Sequence, residues 1–165
     1  MSLLAGHQSS ALTLEEAVRE CPVPYAVMWA VAKAEDSERP GYPFVIRIND
    51  GRVKIPWLKK IGKNAYDCKS YEVCVYTARK LIEMGITNVD LGPFQINYRY
   101  HHFPPEEAFR LPDSYLKACE ILARKVRKYG WNWKGVAAYH SASPEENEKY
   151  AQRLKEIMRQ ALQEH

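Results

Sequence analysis

One stretch of the chain is almost entirely apolar and ends in an acid. Residues 28–34 read Met-Trp-Ala-Val-Ala-Lys-Ala, in which only Lys33 is polar, and Glu35 and Asp36 follow directly. A helix that is apolar on nearly every side is packed by other elements all around it. Because proline is favoured at the first position of a helix, we predict a central helix over residues 24–35 that starts at Pro24.

Helical spacing and capping patterns predict further helices on both sides of the central one. In residues 71–84 the apolar side chains recur every three or four positions, and Gly85 follows as a left-handed end. Ser-Pro-Glu-Glu at 143–146 combines an N-cap, a proline at the first helical position and a capping-box glutamate. The additional predicted helices span residues 13–21, 71–84, 113–129, 133–140 and 144–163, with caps at Thr13, Asp113, Asn132 and Ser143, and a short helix opens within residues 92–97.

Two short runs of β-branched residues flank Asn-Asp-Gly at 49–51, a pattern typical of a β-hairpin. The chain has no internal repeat and no low-complexity tract, and its length is that of one domain. We therefore expect a mainly α, α+β domain over residues 13–165, with one small β-hairpin within residues 42–55. A flexible lead over residues 1–12 would precede it.

Charge and cysteine content narrow the class of protein. The net charge of +4 is mild and the basic residues are spread along the chain, which argues against nucleic-acid binding and suits a polyanion such as a bacterial cell wall. No apolar run is long enough to span a bilayer, and residues 1–11 lack the pattern of an export signal. The cysteines lack the paired spacing of a zinc site and allow three disulfide pairings, among which the sequence does not choose: Cys21, Cys68, Cys74 and Cys119.

Glu35 is the candidate for chemistry. It lies at the predicted C-terminal end of the central helix, where unpaired carbonyl groups disfavour a second negative charge. The apolar turns before it would desolvate the carboxyl group, and Asp36 would add like charge. All three effects raise the pKa of Glu35, which a general acid needs if it is to hold its proton near neutral pH.

Four segments of the chain occur in an order and spacing that one enzyme family shares. They are Trp-Ala-Val-Ala-Lys-Ala-Glu at residues 29–35, Gly-Pro-Phe-Gln-Ile-Asn at 92–97, Ala-Tyr-His at 138–140 and Tyr-Ala at 150–151. This set resembles the soluble lytic transglycosylases (lysozyme-like, with an SLT domain), especially the small ones that accompany secretion and conjugation systems. The resemblance spans about residues 20–158. It departs at Asp36, at Pro93 with Phe94, and at His140, where the family has Ser, Leu-Met and Asn.

The resemblance implies a peptidoglycan lytic transglycosylase. Such a lyase cleaves the β-1,4 bond between N-acetylmuramic acid and N-acetylglucosamine and leaves a 1,6-anhydro ring instead of adding water. Glu35 would act as acid and then as base, since the sequence offers no evident second carboxylate: Asp36 points away around the helix and Asp50 is explained as a turn residue. The resemblance also implies the substrate-binding residues of a cleft beside the hairpin, namely Phe94, Gln95, Asn97, Tyr139, His140 and Tyr150.

The sequence leaves two alternatives open. A muramidase, which is a hydrolytic lysozyme, would deliver water to the same site, and a non-catalytic peptidoglycan-binding assembly module would have kept the cleft and lost the activity. We expect no metal and no cofactor, because the adjacent His101 and His102 point apart and no phosphate-binding or dinucleotide-binding motif occurs. The expected setting is the periplasm or cell envelope, where a monomer would act on peptidoglycan. Components of a secretion, conjugation or pilus machine would be further partners, and the export signal would be absent from this sequence.

Overall fold

The computed structural model describes residues 11–164, so residues 1–10 of the predicted lead lie outside the described residues, and residues 11–12 have no regular structure. The fold is mainly helical with a small antiparallel sheet, which confirms the α+β class. The helices are α1 (Leu14–Glu20), α2 (Tyr25–Glu35), α3 (Tyr71–Glu83), α4 (Tyr98–His101), a 3-10 helix (Pro105–Glu107), α5 (Leu111–Tyr129), α6 (Trp133–Ala137) and α7 (Pro144–Gln163). The strands are β1 (Val45–Ile48), β2 (Lys59–Gly62), β3 (Ala65–Asp67), β4 (Val89–Leu91) and β5 (Ile96–Asn97).

Helix α2 is the central helix that the apolar run predicts. It begins one residue later than expected, with Pro24 as its N-cap, and ends at Glu35. Its buried side chains are Met28, Ala30, Val31, Ala32 and Ala34. Helix α7 packs along it, and α6 joins α7 to α5, so the C-terminal helices enclose the end of α2 that carries the acid.

The sheet is larger than the predicted hairpin and is built differently. Its strand order is β2-β3-β1-β4-β5, and all neighbours are antiparallel. The turn at Asn-Asp-Gly exists, but the second half of the expected hairpin, residues 52–55, is not a strand. Ile55 instead packs into the core, 2% exposed, and Pro56 behind it has no N–H to donate to a neighbouring strand. Strands β3 and β4 therefore pair with β1.

The two faces of the sheet differ sharply. Because side chains alternate along a strand, one face carries buried apolar residues, namely Ile46, Ile48, Tyr66, Val89, Leu91 and Ile96. On the opposite face, Arg47 lies across from Asp90, and Asp90 lies across from Asn97. This row of polar side chains crosses three strands and faces away from the core.

Several helix ends differ from the predicted ones. Helix α5 begins at Leu111, and Asp113 lies in its first turn and accepts a hydrogen bond from the guanidinium of Arg110 (2.8 Å) instead of capping the helix. Residues 92–97 form a turn and strand β5, and the helix that follows starts at Tyr98 with Asn97 as its N-cap. Ser143 precedes α7 without a side-chain cap bond. The caps at Thr13 and Asn132 are confirmed, although α6 ends at Ala137, short of His140.

Two disulfides hold the fold together. Cys21 is bonded to Cys119, which joins the end of α1 to α5, and Cys68 is bonded to Cys74, which joins the end of β3 to α3. The first closes a loop of 98 residues, so it restricts the unfolded chain more than the second, which spans 6. Within residues 11–164, no helix combines the length and apolarity needed to cross a membrane.

Candidate active site

An open cleft of about 1620 Å³ lies between the polar face of the sheet and the C-terminal helices. The sheet contributes Arg47, Asp90 and Asn97 to one wall, while α7 and the loop before it contribute His140 and Tyr150 to the other. The end of α2 also lines the cleft. The cleft therefore collects residues that are far apart in the sequence.

Glu35 is the last residue of α2 and is partly exposed to this cleft. Its Oε1 accepts a hydrogen bond of 2.8 Å from the hydroxyl of Tyr150. Burial is the main influence on the carboxyl and raises its pKa from 4.5 to about 7. The bond from Tyr150 opposes that rise, because it favours the ionised form. The direction of the shift is the one predicted from the sequence.

The negative neighbour of Glu35 is Asp90, not Asp36. The carboxylate of Asp36 accepts hydrogen bonds from the backbone N–H groups of Glu38 (3.1 Å) and Arg39 (2.9 Å), so it caps the turn that follows the helix. The charge of Asp90 adds to the rise in the pKa of Glu35. The expectation that no second carboxylate lies near Glu35 is wrong, because Asp90 lines the same cleft.

Asp90 is held by side-chain amides. Its Oδ1 accepts a bond of 2.9 Å from Nδ2 of Asn97, and its Oδ2 accepts one of 3.1 Å from Nδ2 of Asn49. The same Asn97 amide group donates to Oδ1 of Asn88 (2.9 Å), and Oδ1 of Asn97 accepts from the backbone N–H of Tyr100. Asn97 therefore orients the Asp90 carboxylate and also caps the start of helix α4.

Gln95 projects into the cleft from a tight turn. Its own φ is +49°, which is uncommon for a residue other than glycine, and Nε2 of its side chain donates to the carbonyl of Gly92 (2.9 Å). Gly92 has φ +76°, and a Cβ there would lie 1.9 Å from the carbonyl oxygen of Ala108. The turn thus depends on glycine, and strained backbone of this kind is often found at functional sites.

Phe94 does not reach the cleft with its side chain. The ring is 2% exposed and packs edge-on against Tyr115, with the ring centroids 5.8 Å apart. Only its backbone carbonyl takes part in the site, since it accepts a hydrogen bond of 2.7 Å from the hydroxyl of Tyr139. The predicted contact between the Phe94 side chain and substrate is wrong, because an apolar ring at this position has a core pocket to fill.

Two tyrosines surround the acid. Burial and the neighbouring Glu35 hold the pKa values of Tyr139 and Tyr150 well above their usual range, so both hydroxyls keep their protons and donate them in hydrogen bonds. The ring of His140 stacks on that of Tyr150, with centroids 4.8 Å apart and planes 6° from parallel. Nε2 of His140 lies 3.9 Å from Oε2 of Glu146. His140 therefore packs against Tyr150, the residue that donates a hydrogen bond to Glu35.

The segment after Glu35 is tied to the sheet by Asp67. This carboxylate accepts hydrogen bonds from the hydroxyl of Tyr42 (2.7 Å) and from Nη1 of Arg39 (3.3 Å), and the guanidinium of Arg39 lies over the ring of Tyr42 at 3.8 Å. These partners lower the pKa of Asp67 against the effect of its burial. All three residues line the cleft.

Of the predicted site residues, Glu35, Gln95, Asn97, Tyr139, His140 and Tyr150 line one cleft, and Phe94 does not. Sequence reasoning missed Arg47 and Asp90. Each is a charged residue between two apolar ones, in Ile-Arg-Ile and Val-Asp-Leu, and that alternation is the pattern of a strand with one polar face.

Within the described range, no group of three or more His, Cys, Asp or Glu side chains is arranged to hold a metal ion. His101 is the last residue of α4, and His102 caps that helix in the left-handed conformation. No protein-family model matches the chain, and no curated protein and no solved structure matches it at a significant level. Any functional conclusion therefore comes from the residues of the cleft.

Proposed function

We propose that this chain is a peptidoglycan lytic transglycosylase with a lysozyme-like fold. The observation that carries the proposal is the carboxyl of Glu35, which lines an open cleft, accepts a hydrogen bond from Tyr150 and has a pKa that burial raises to about 7. A carboxyl group with such a pKa is able to give a proton to a leaving group and to take one back near neutral pH. The cleft has a volume of about 1620 Å³ and is lined by polar groups that suit sugar hydroxyls.

In the proposed reaction, Glu35 gives its proton to the glycosidic oxygen as the bond from that oxygen to C1 of the muramyl ring breaks. The acetamido group of the same sugar would stabilise C1 after the bond has broken. The Glu35 carboxylate then takes the proton of the C6 hydroxyl, whose oxygen bonds to C1 and closes the 1,6-anhydro ring. Glu35 is thereby returned to its protonated form.

The neighbouring residues have distinct roles in this proposal. Tyr150 orients the carboxyl of Glu35 through its 2.8 Å hydrogen bond. Gln95 would bind the sugar from the turn, whereas Asn97, whose amide group is engaged by Asn88, Asp90 and Tyr100, would act by orienting Asp90. Tyr139 stabilises that turn, because its hydroxyl donates a hydrogen bond to the carbonyl of Phe94.

One observation favours a second candidate, a hydrolytic muramidase. Asp90 provides a second carboxylate in the same cleft, and most glycosidases use a pair of carboxyl groups. Each Asp90 oxygen accepts one hydrogen bond from an asparagine amide, which orients the carboxylate for either reaction. We prefer the transglycosylase because four segments of the chain resemble that family in order and spacing.

We further propose that the protein works as a monomer in the periplasm or cell envelope, with peptidoglycan strands as its substrate and a secretion, conjugation or pilus machine as its setting. Two disulfides support a compartment outside the reducing cytosol.

The test is cleavage of purified peptidoglycan by the wild type and by Glu35→Gln, with the products weighed by mass spectrometry. We expect anhydro-muropeptides, lighter by one water than hydrolysis products, and loss of cleavage in the variant. Glu83→Gln is a matched control, since Glu83 is also the last residue of a helix but is exposed and lies outside the cleft. Reducing ends alone would favour the muramidase, and cleavage that survives Glu35→Gln would remove Glu35 from the mechanism.

A further inference from the structure

Arg47 lies at the centre of the polar face of the sheet. It belongs to β1, the middle strand, and is the only residue of that strand that is not buried. Its side chain is half-buried and lines the cleft, and its charge acts on Glu35. The guanidinium therefore lies in the same cleft as the proposed acid.

The hydrogen-bonding capacity of this guanidinium is mostly unused. An arginine carries five N–H donors, and in residues 11–164 only Nε of Arg47 has a partner, Oε1 of Gln95 at the long distance of 3.4 Å. Asp90 faces Arg47 across the strands but is engaged by Asn97 and Asn49. By contrast, Arg39 and Arg110 each form a salt bridge with an aspartate.

The remaining N–H donors of Arg47 face the cleft and are not buried from solvent, so they are available to a ligand. A guanidinium matches a carboxylate, because its planar fork can form two parallel hydrogen bonds with the two oxygens. Neutral sugar hydroxyls would not use that geometry. The position therefore suits an anionic or strongly accepting group on the substrate.

We propose that Arg47 binds a carboxylate of the glycan substrate and so makes the cleft selective for N-acetylmuramic acid. The inference rests on the proposed function, since it takes peptidoglycan as the ligand. Two sources of this chemistry exist: the lactyl carboxyl group, which is free in strands without peptides, and the carboxylates of the peptide stem. N-acetylglucosamine carries neither group.

The experiment measures KM for three substrates: strands stripped of peptides, the same strands with each lactyl carboxylate converted to a methylamide, and strands that keep their peptides. For the wild type, we expect the methylamide to raise KM about tenfold, the effect of a charge-assisted hydrogen bond. Arg47→Gln should abolish the difference between the first two substrates, and Arg47→Lys, which keeps the charge but not the fork, should retain part of it. Comparing substrates on one enzyme cancels any effect of the substitution on Glu35.

The outcomes distinguish a lactyl carboxylate from a carboxylate of the peptide stem, and both from an Arg47 that binds no carboxylate. If Arg47→Gln raises KM for peptide-bearing strands alone, the bound carboxylate is on the stem. If it raises KM equally for all three substrates, or for none, Arg47 binds no carboxylate and the proposal is overturned, while cleavage by the wild type still supports the proposed function. Arg99→Gln, the same change at an exposed residue outside the cleft, should leave all three KM values unaltered.

Discussion

The raised pKa of Glu35 makes the stability of the fold depend on pH. The pKa is 4.5 in the unfolded chain and about 7 in the folded protein. Between these values the unfolded state has lost the proton while the folded state still binds it, so folding is favoured by the proton. This contribution is fully present below pH 4.5, decreases as the pH rises, and is lost above about pH 7. The shift corresponds to at most about 3 kcal/mol, since Glu35 is partly exposed to solvent in the cleft.

Urea unfolding of the wild type and of Glu35→Gln at pH 4 and pH 8 tests this reasoning. Glutamine does not ionise, so the variant lacks the pH-dependent contribution of this one residue. The free energy of unfolding of the variant, relative to that of the wild type, should increase by about 2 to 3 kcal/mol from pH 4 to pH 8. All other titrating groups are common to both proteins and cancel, as does any constant effect of the substitution.

The result that would refute the reasoning is a difference between the two proteins that stays constant with pH. Glu35 would then titrate as it does in the unfolded chain, and its burial would have no electrostatic consequence. Glu83→Gln provides the baseline, because that glutamate is exposed at the end of α3 and should give such a constant difference.

Three further predictions concern single residues. Asp90→Asn should lower the pKa of Glu35, visible as a lower midpoint in a carbon-13 NMR titration of that carboxyl; an unchanged midpoint would contradict the role of Asp90. His140→Ala should slow peptidoglycan cleavage by up to about tenfold, because the ring stacked on Tyr150 is lost, while His140→Phe should restore most of the rate; equal losses would exclude stacking as the cause. Gly92→Ala should lower the free energy of unfolding in urea by about 3 kcal/mol or more, since its Cβ would lie 1.9 Å from a backbone oxygen; a small loss would mean that the turn adapts.

The helices were the predictable part of the fold, because their signals are local. The spacing of apolar residues located α3 to within one residue, and the cap at Asn132 located the start of α6. The sheet was not predictable in the same way. Its strands have two to four residues, too few for a periodic signal, and β1 pairs with strands that are distant in the sequence.

The candidate site, like the fold, was predictable only where the signal is local. Glu35 stood out because its own helix is apolar, and Tyr150 lies 115 residues away, so no local pattern could indicate their hydrogen bond. Asp90 was missed because its strand was missed. Arg47 lies in the first half of the predicted hairpin, which is a strand, and was missed because a local pattern does not tell which strand face borders a cleft. Phe94 was misplaced because a sequence comparison assigns a position along the chain and does not tell which side of a turn a side chain occupies.

The pKa of Glu35 is the balance of opposing neighbours, and that balance bears on the proposed reaction. Burial and Asp90 raise it, while the bond from Tyr150 and the charges of Arg47 and Arg153 lower it. A carboxyl group influenced by burial and Asp90 alone would hold its proton more tightly, so it would be a weaker acid toward the glycosidic oxygen although its carboxylate would be a stronger base. Because a value near 7 serves both steps at neutral pH, the cationic neighbours support a single glutamate that donates a proton and then removes one.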